Sequence, residues 1–230
     1  MMLEELRKQV LEANLELVRR GLVLYTFGNA SGISRADGLV AIKPSGVPYE
    51  GMRPEDLVIT DLDGRIVEGN LRPSSDLATH LVLYRAFAGI GGVVHTHSRY
   101  ATSWAQARRP IPCLGTTHAD YFRGPVPVTR AMSPAEIAEG YEANTGELIA
   151  RHFSGGDGLE VPAVLVAGHG PFAWGPSAAE AAHNGVILEY VAEMAYYSVT
   201  LAEVPKQLDP AHLDKHFLRK HGASAYYGQK

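Results

Sequence analysis

A chain of 230 residues, 46% hydrophobic and 20% charged, carries enough apolar material for an ordinary core without disulfides or a structural metal. Its formal net charge is −4 with Lys and Arg scattered rather than bunched, which argues against nucleic acid or an anionic membrane as a partner. Cys113 is the only cysteine, so an intramolecular disulfide framework and a CxxC metal knuckle are both excluded.

Leu3, Leu6, Val10, Ala13 and Leu17 recur at helical spacing. Glu4 and Glu5 come first, Arg19 and Arg20 last, and Gly21 follows as a stop, predicting an amphipathic opening helix. The segment lacks the apolar stretch of a signal peptide and no later run reaches transmembrane length, so a cytoplasmic location is expected. The stretch YTFGNASGIS is small and polar and reads as a loop. A short β-like run, Leu39 to Ile42, then ends in Lys43-Pro44-Ser45-Gly46. Further strands are expected at Leu57 to Thr60 and Arg65 to Val67, either side of the turn Asp61 to Gly64.

A helix is expected after Ser74-Ser75, running through Leu83 to Phe87, with an apolar strand from Val93 to His97 beyond Gly91-Gly92. Ser133 with Pro134 and Glu136, and Ser177 with Glu180, mark the starts of two later helices. The strand Ala163 to Ala167 lies between them and leads into Gly168-His169-Gly170. The last long helix is predicted over Ala178 to Ala202, and Asp209-Pro210 caps a short one ending near His221. The tail from Gly222 to Lys230 has two tyrosines and no periodic apolar face, so it needs a surface to order it; a neighbouring subunit could supply one. Strands and helices mix irregularly, giving an α/β class and one domain over 1–230.

His95 and His97 sit two apart in a β-like run, which directs both imidazoles from one strand face, as half a tetrahedral metal shell requires. His169 stands between two glycines that leave room for a ligand, and Asp76 opens a helix. With ten histidines in the chain, one HxH pair also arises by chance, and periodicity leaves metal binding open. His80, His152, His183, His212 and His221 are read as hydrogen-bonded or solvated imidazoles. Of these, His80 lies one helical turn from Asp76 and within reach of a site there. Gly28-Asn29, Ser45-Gly46 and Ser74-Ser75 combine hydroxyls or amides with backbone N–H groups expected to be free, a composition that cradles phosphate beside a helix N-terminus.

The strings GNASG, IKPSGV, PSSD, GGVVHTHSRYAT, TTHADYF, GHGPFAWG and DKHFLRKHG, with the AYYGQ tail, resemble the L-ribulose-5-phosphate 4-epimerases of the class II (metal-dependent) aldolase/epimerase superfamily. The likeness covers essentially the whole chain. It implies a three-layer fold with a central, mainly antiparallel sheet flanked by helices. It implies zinc, one ion per subunit with Mn²⁺ or Co²⁺ able to substitute, on Asp76, His95, His97 and His169. Phosphate of a ketopentose substrate would bind at Gly28, Asn29, Ser45, Gly46, Ser74 and Ser75, with Lys43 nearby. Asp120 and Tyr227 would be the acid/base pair and His216 their support. A ring of four subunits is implied, with Asp120 and Tyr227 entering the neighbour's site, and the setting would be arabinose catabolism.

The chemistry explains that set. C4 of a 2-ketose is not α to the carbonyl, so its hydrogen is not acidic, and no nicotinamide fingerprint is present to oxidise it. Its hydroxyl is β to the carbonyl, and deprotonation allows retro-aldol cleavage of C3–C4. An enediolate and glycolaldehyde phosphate result, and re-addition to the rotated aldehyde inverts the carbon. Three rivals differ in identifiable ways. Aldolases of the fuculose- or rhamnulose-phosphate type carry Glu where this chain has Asp76, and lack THADYF. A non-enzymatic module like the adducin head domain needs none of these ligands. A zinc hydrolase would use a motif such as HExxH, absent here. The SGGDGLE stretch around Asp157 and the connection Glu203 to Asp209 read as surface variation.

Overall fold

A computed structural model describes residues 2–153 and 158–227. Asp157 and the Gly228-Gln229 end of the AYYGQ string therefore lie outside the described residues. In chain order the elements are α1 (Glu4–Arg19), β1 (Asn29–Ser34), β2 (Leu39–Ile42), β3 (Val58–Asp61), β4 (Ile66–Glu68), α2 (Leu77–Ala86) and β5 (Gly92–His95). They continue with α3 (Arg99–Gln106), α4 (Thr116–Ala119), α5 (Pro134–Ala138), α6 (Tyr141–His152), β6 (Ala163–Leu165), β7 (Pro171–Gly175), α7 (Ala178–Leu201) and α8 (Pro210–His221). The strands form one seven-stranded sheet in the order β4-β3-β2-β1-β5-β7-β6, antiparallel at every step.

Alternation along the strands decides which layer covers which face. Val40, Ile42, Val93, Val164, Phe172 and Trp174 point to a core shared with Leu81, Leu83 and Tyr84 of α2 and Ile149 of α6. The intervening Ala41, Val94, Ala163 and Ala173 point to the opposite core, with Val10, Ala13 and Leu17 of α1, Trp104 of α3 and the alanines of α7. Large side chains fill one face and small ones the other, so α7 sits close on the sheet. The result is the helix–sheet–helix layering expected of the class.

The largest departure from the sequence reading is β1. The stretch expected to be a loop is a strand, paired with β2 through Ser31↔Ile42 and with β5 through Asn29↔His95. Its small residues give no hydrophobic signal because the burial is supplied by neighbours. Asn14, fully buried on α1, clamps the strand by accepting from the Ala30 N–H at 2.9 Å and donating to the Ala30 carbonyl at 3.1 Å.

Other departures are local. The strand at His95 stops there, so His97 follows it in an irregular link to α3 rather than sharing its face. The first turn of α3 is held by Glu189 of α7, whose carboxylate accepts from the N–H groups of Tyr100 at 2.8 Å and Ala101 at 2.9 Å. His169 does not end a strand but lies in the turn between β6 and β7. The Ser133 capping box forms, yet its helix stops after one turn and α6 starts afresh behind Gly140, whose φ of 113° breaks the helical path. Among the described residues, no helix is long and apolar enough to cross a membrane.

Candidate active site and metal centre

Several chain segments meet at one cavity of about 400 Å³, four of them at the ends of sheet strands or at the start of α2. Asn29 opens β1, Lys43 follows β2, Asp76 precedes α2, and His95 closes β5, so all four reach the cavity from the ends of regular elements. Gly28 makes this possible. Its φ is 79°, and a Cβ there would stand 2.8 Å from the His95 carbonyl oxygen, so any other residue would push the two strands apart.

His95, His97 and His169 bring one ligand atom each to within 4.8 Å of one another. His95 Nδ1 donates to the Pro171 carbonyl at 2.9 Å, which leaves the Nε2 lone pair facing His97 Nε2 at 3.1 Å. His169 Nδ1 meets the hydroxyl of Tyr141 at 3.1 Å, so its other nitrogen is likewise available to a ligand. Such outer contacts are what orient metal-binding imidazoles. Burial drives His95 down to about 3, with Asp76 opposing and His169 and His97 adding to the fall. Burial, then His97, lowers His169 as well. Three imidazoles converging in this way fit a divalent cation.

Asp76 lines the same cavity but stands outside that tight group of three. Its Oδ2 accepts from Asn29 Nδ2 at 2.7 Å. Burial raises its pKa, but His95, His80, the Asn29 hydrogen bond and His169 together outweigh it, and the carboxyl is held below its ordinary value.

Gly28, Asn29, Lys43, Ser45, Gly46, Ser74 and Ser75 all line this cavity. Two of the backbone N–H groups expected to be free are in use. Ser45 donates to Arg72 O and Ser74 to Lys43 O, both at 2.9 Å, tying the two loops together. An anion in this cavity would depend more on the hydroxyls and on Lys43. That lysine is almost fully buried, donates to Val47 O at 2.8 Å, and lies 4.6 Å from the Tyr49 ring centroid. Burial brings its ammonium down to about 8.

Asp120, Tyr227 and His216 are not among the residues lining the cavity. They gather elsewhere, around α8. Asp120 Oδ1 accepts from His216 Nδ1 at 3.0 Å, and both carboxylate oxygens accept from Arg219. The tail folds back on the same helix. The N–H groups of Tyr226 and Tyr227 donate to Arg219 O at 3.0 and 3.1 Å, and the Tyr227 ring lies against the cationic groups of Arg219 and Lys220. Arg219 is not expected in this cluster from the sequence, and at the cavity Tyr141 and Glu142, with Thr26, Phe27 and Pro44, are not expected either. The i,i+3 spacing of His216 and Arg219 on α8 is a usable signal for the first; Tyr141 and Glu142 carry none, because the sequence gives no separate start for α6.

Residues 8–196 match the family described as the class II aldolase and adducin N-terminal domain. This chain belongs to that family. Over 228 residues it is 52% identical to an L-ribulose-5-phosphate 4-epimerase UlaF of Salmonella paratyphi C (strain RKS4594), covering 99% of this chain and 100% of that protein. The same figures hold for the protein of that name from Salmonella choleraesuis (strain SC-B67). Among solved structures, an L-fuculose 1-phosphate aldolase aligns with a TM-score of 0.78 at 26% identity, covering 92% of this chain and 94% of its own. The L-fuculose-1-phosphate aldolase of Thermus thermophilus aligns with a TM-score of 0.67 at 27% identity, covering 88% and 98%. As a class II aldolase-family member, the chain has the antiparallel sheet and helical layers of these enzymes.

Proposed function

We propose that this chain is an L-ribulose-5-phosphate 4-epimerase, inverting C4 to give D-xylulose 5-phosphate by retro-aldol cleavage and re-addition. One observation carries the reading: a single cavity is lined both by the three-histidine group and by the Ser/Gly/Asn/Lys loops. The 52% identity to relatives of that name, along the whole chain, supports the choice of substrate.

The chain's residues divide the work. Lys43, Ser45, Ser74 and Ser75, with Gly28, Asn29 and Gly46, hold the phosphate, so the two-carbon aldehyde can rotate without escaping. Zinc, one ion per subunit with Mn²⁺ or Co²⁺ able to replace it, supplies Lewis-acid stabilisation of the negative charge developing on the ketose oxygens when held by Asp76, His95, His97 and His169. Asp120 and Tyr227 serve the two faces of the aldehyde, one removing the C4 hydroxyl proton and the other returning it. Arg219 keeps Asp120 ionised and therefore an acceptor: burial raises its pKa, but the Arg219 and His216 hydrogen bonds lower it further. Since neither Asp120 nor Tyr227 lines its own chain's cavity, they act in the cavity of a neighbouring copy, in a cytoplasmic ring of four serving arabinose catabolism.

The structural likeness to L-fuculose 1-phosphate aldolases favours one second reading, an aldolase that releases its fragments. Incubation with L-ribulose 5-phosphate separates the two. An epimerase interconverts it with D-xylulose 5-phosphate and accumulates no fragments, whereas an aldolase accumulates glycolaldehyde phosphate and dihydroxyacetone. No turnover by folded, metal-replete protein contradicts the substrate assignment.

A further inference from the structure

The loop before β1 leaves Leu24, Tyr25 and Phe27 exposed, and Phe27, with 54% of its surface uncovered, also lines the cavity. The loop is nonetheless firmly held. The Phe27 N–H donates to the Leu24 carbonyl at 3.0 Å. The hydroxyl of Tyr49, a buried side chain, stands 3.1 Å from the Phe27 carbonyl oxygen and 2.8 Å from that of Gly28. Tyr25 takes a φ of 54°, a left-handed conformation that a residue with a β-carbon adopts only when its surroundings impose it. Its ring meets the Phe27 ring edge-on, with centroids 6.5 Å apart.

Among the described residues that line the cavity, Phe27 is the one large hydrocarbon side chain; the others are polar, small or, at Tyr141, phenolic. The Phe27 ring centroid is 6.3 Å from that of His97 and its plane is tilted by 41°, while the Tyr141 ring stands 5.8 Å from that of His169. Two aromatic rings therefore flank the histidine group, one beside His97 and one beside His169. Gly28 and Asn29 follow Phe27 directly and belong to the phosphate loops. Phe27 thus stands where the histidine group and those loops join. A ketose held by its phosphate in the loops and by its carbonyl end at the histidines places C4 between the two, beside this ring.

We propose that Phe27 determines the outcome of the cleavage: its ring walls in the two fragments, so that re-addition outruns release. The inference rests on the epimerase reading set out above. When C3–C4 breaks, its electron pair passes into the enediolate of dihydroxyacetone. The C4 hydroxyl gives its proton to the acid/base pair as C4 becomes the aldehyde carbon. Re-addition reverses both transfers on the other face of the aldehyde. Release requires instead that the enediolate gain a proton at C3, balancing the one lost from the C4 hydroxyl, and that glycolaldehyde phosphate leave its loops. A hydrocarbon ring beside the reacting carbons supplies no proton and displaces the water that would. A ring on a backbone fixed at two carbonyls keeps that position through each turnover.

The test is how the full, zinc-loaded chain partitions L-ribulose 5-phosphate between D-xylulose 5-phosphate and the fragments dihydroxyacetone and glycolaldehyde phosphate. The parent is expected to release no measurable fragments. Phe27→Ala is expected to release them at about a tenth of product or more, with KM changed less than about threefold because the phosphate loops are untouched. Phe27→Tyr keeps the ring and is expected to partition like the parent. Partition is a ratio within the turnovers that occur, so a partly folded or partly loaded preparation does not imitate it. Should Phe27→Ala fail to fold, Phe27→Leu removes the ring but keeps an apolar side chain, and is expected to release fragments at a lower but measurable level. Fragment-free epimerisation by whichever of these two folds, or equal release by Phe27→Tyr, overturns the proposal. A parent that itself accumulates fragments, or turns nothing over, overturns the epimerase reading and this proposal with it, so the parent alone tells the two failures apart.

Discussion

Arg219 grips Asp120 at two points, Nε to Oδ1 at 3.0 Å and the terminal nitrogen to Oδ2 at 2.7 Å, while its guanidinium lies 4.7 Å from the centroid of the Tyr227 ring. One side chain thus ties together the two proposed acid/base groups, 107 positions apart in the numbering of the chain. Removing it leaves a nearly buried carboxylate without its strongest partner. Arg219→Met is expected to lower kcat about 100-fold. It should also move the acidic limb of the pH–rate profile upward: Asp120 is held below its ordinary value in the folded protein, and losing the guanidinium raises it. A pH–rate profile that keeps its acidic limb in place would show that Asp120 is not the titrating group.

Tyr141 approaches His169 Nδ1 at 3.1 Å from the first turn of α6. Losing that hydroxyl frees the imidazole to turn. Tyr141→Phe is expected to weaken zinc binding about tenfold with little change in thermal stability. Chelator competition together with a melting curve checks both parts, and equal affinity in the two proteins would remove Tyr141 from the site.

The separation of Asp120 and Tyr227 from their own cavity predicts complementation between defective chains. Asp120→Asn and His169→Asn proteins should each be inactive. Co-assembled in equal amounts, they should regain about a quarter of parental activity, because about one cavity in four would pair an intact metal half with an intact neighbour. If each chain completes its own site, the mixture stays as inactive as its components.

Buried neutral histidines also set the pH dependence of stability. His118 is buried, its Nε2 donates to the Gly124 carbonyl at 2.8 Å, and burial lowers it to about 4. Between pH ~6.5 and ~4 the unfolded chain binds a proton that the folded chain does not, so stability falls as pH drops through that window. The slope is about 1.4 kcal/mol per pH unit for such a histidine at most. Denaturant unfolding of metal-free His118→Gln should show a shallower dependence than the parent over this range; an identical slope would mean that His118 is not the source.

The site's composition is far more legible in the sequence than its architecture. His95, His97, His169, Asp76 and the three small polar loops stand out through the family-like strings that hold them, and the fold brings them to one cavity. Their placement is less so. β1 reads as a loop because Asn29, Ser31 and Gly32 carry no hydrophobic pattern; its burial comes from Asn14, His80 and Tyr84, which sequence spacing does not connect to it. The single strand face expected to carry both histidines ends at His95, and His97 lies in the link to α3, whose first turn is held by Glu189, 92 positions beyond His97. His80 stands out beside Asp76 in the sequence, but its contact with Ser31 exists only in the fold.

The most direct measurement is turnover of L-ribulose 5-phosphate to D-xylulose 5-phosphate by the purified chain, before chelation, after chelation, and after zinc is restored. The expected result is conversion that chelation abolishes and zinc restores, with no accumulation of two- and three-carbon fragments. Conversion undiminished in protein shown to be metal-free, or none in folded protein carrying zinc, would contradict it.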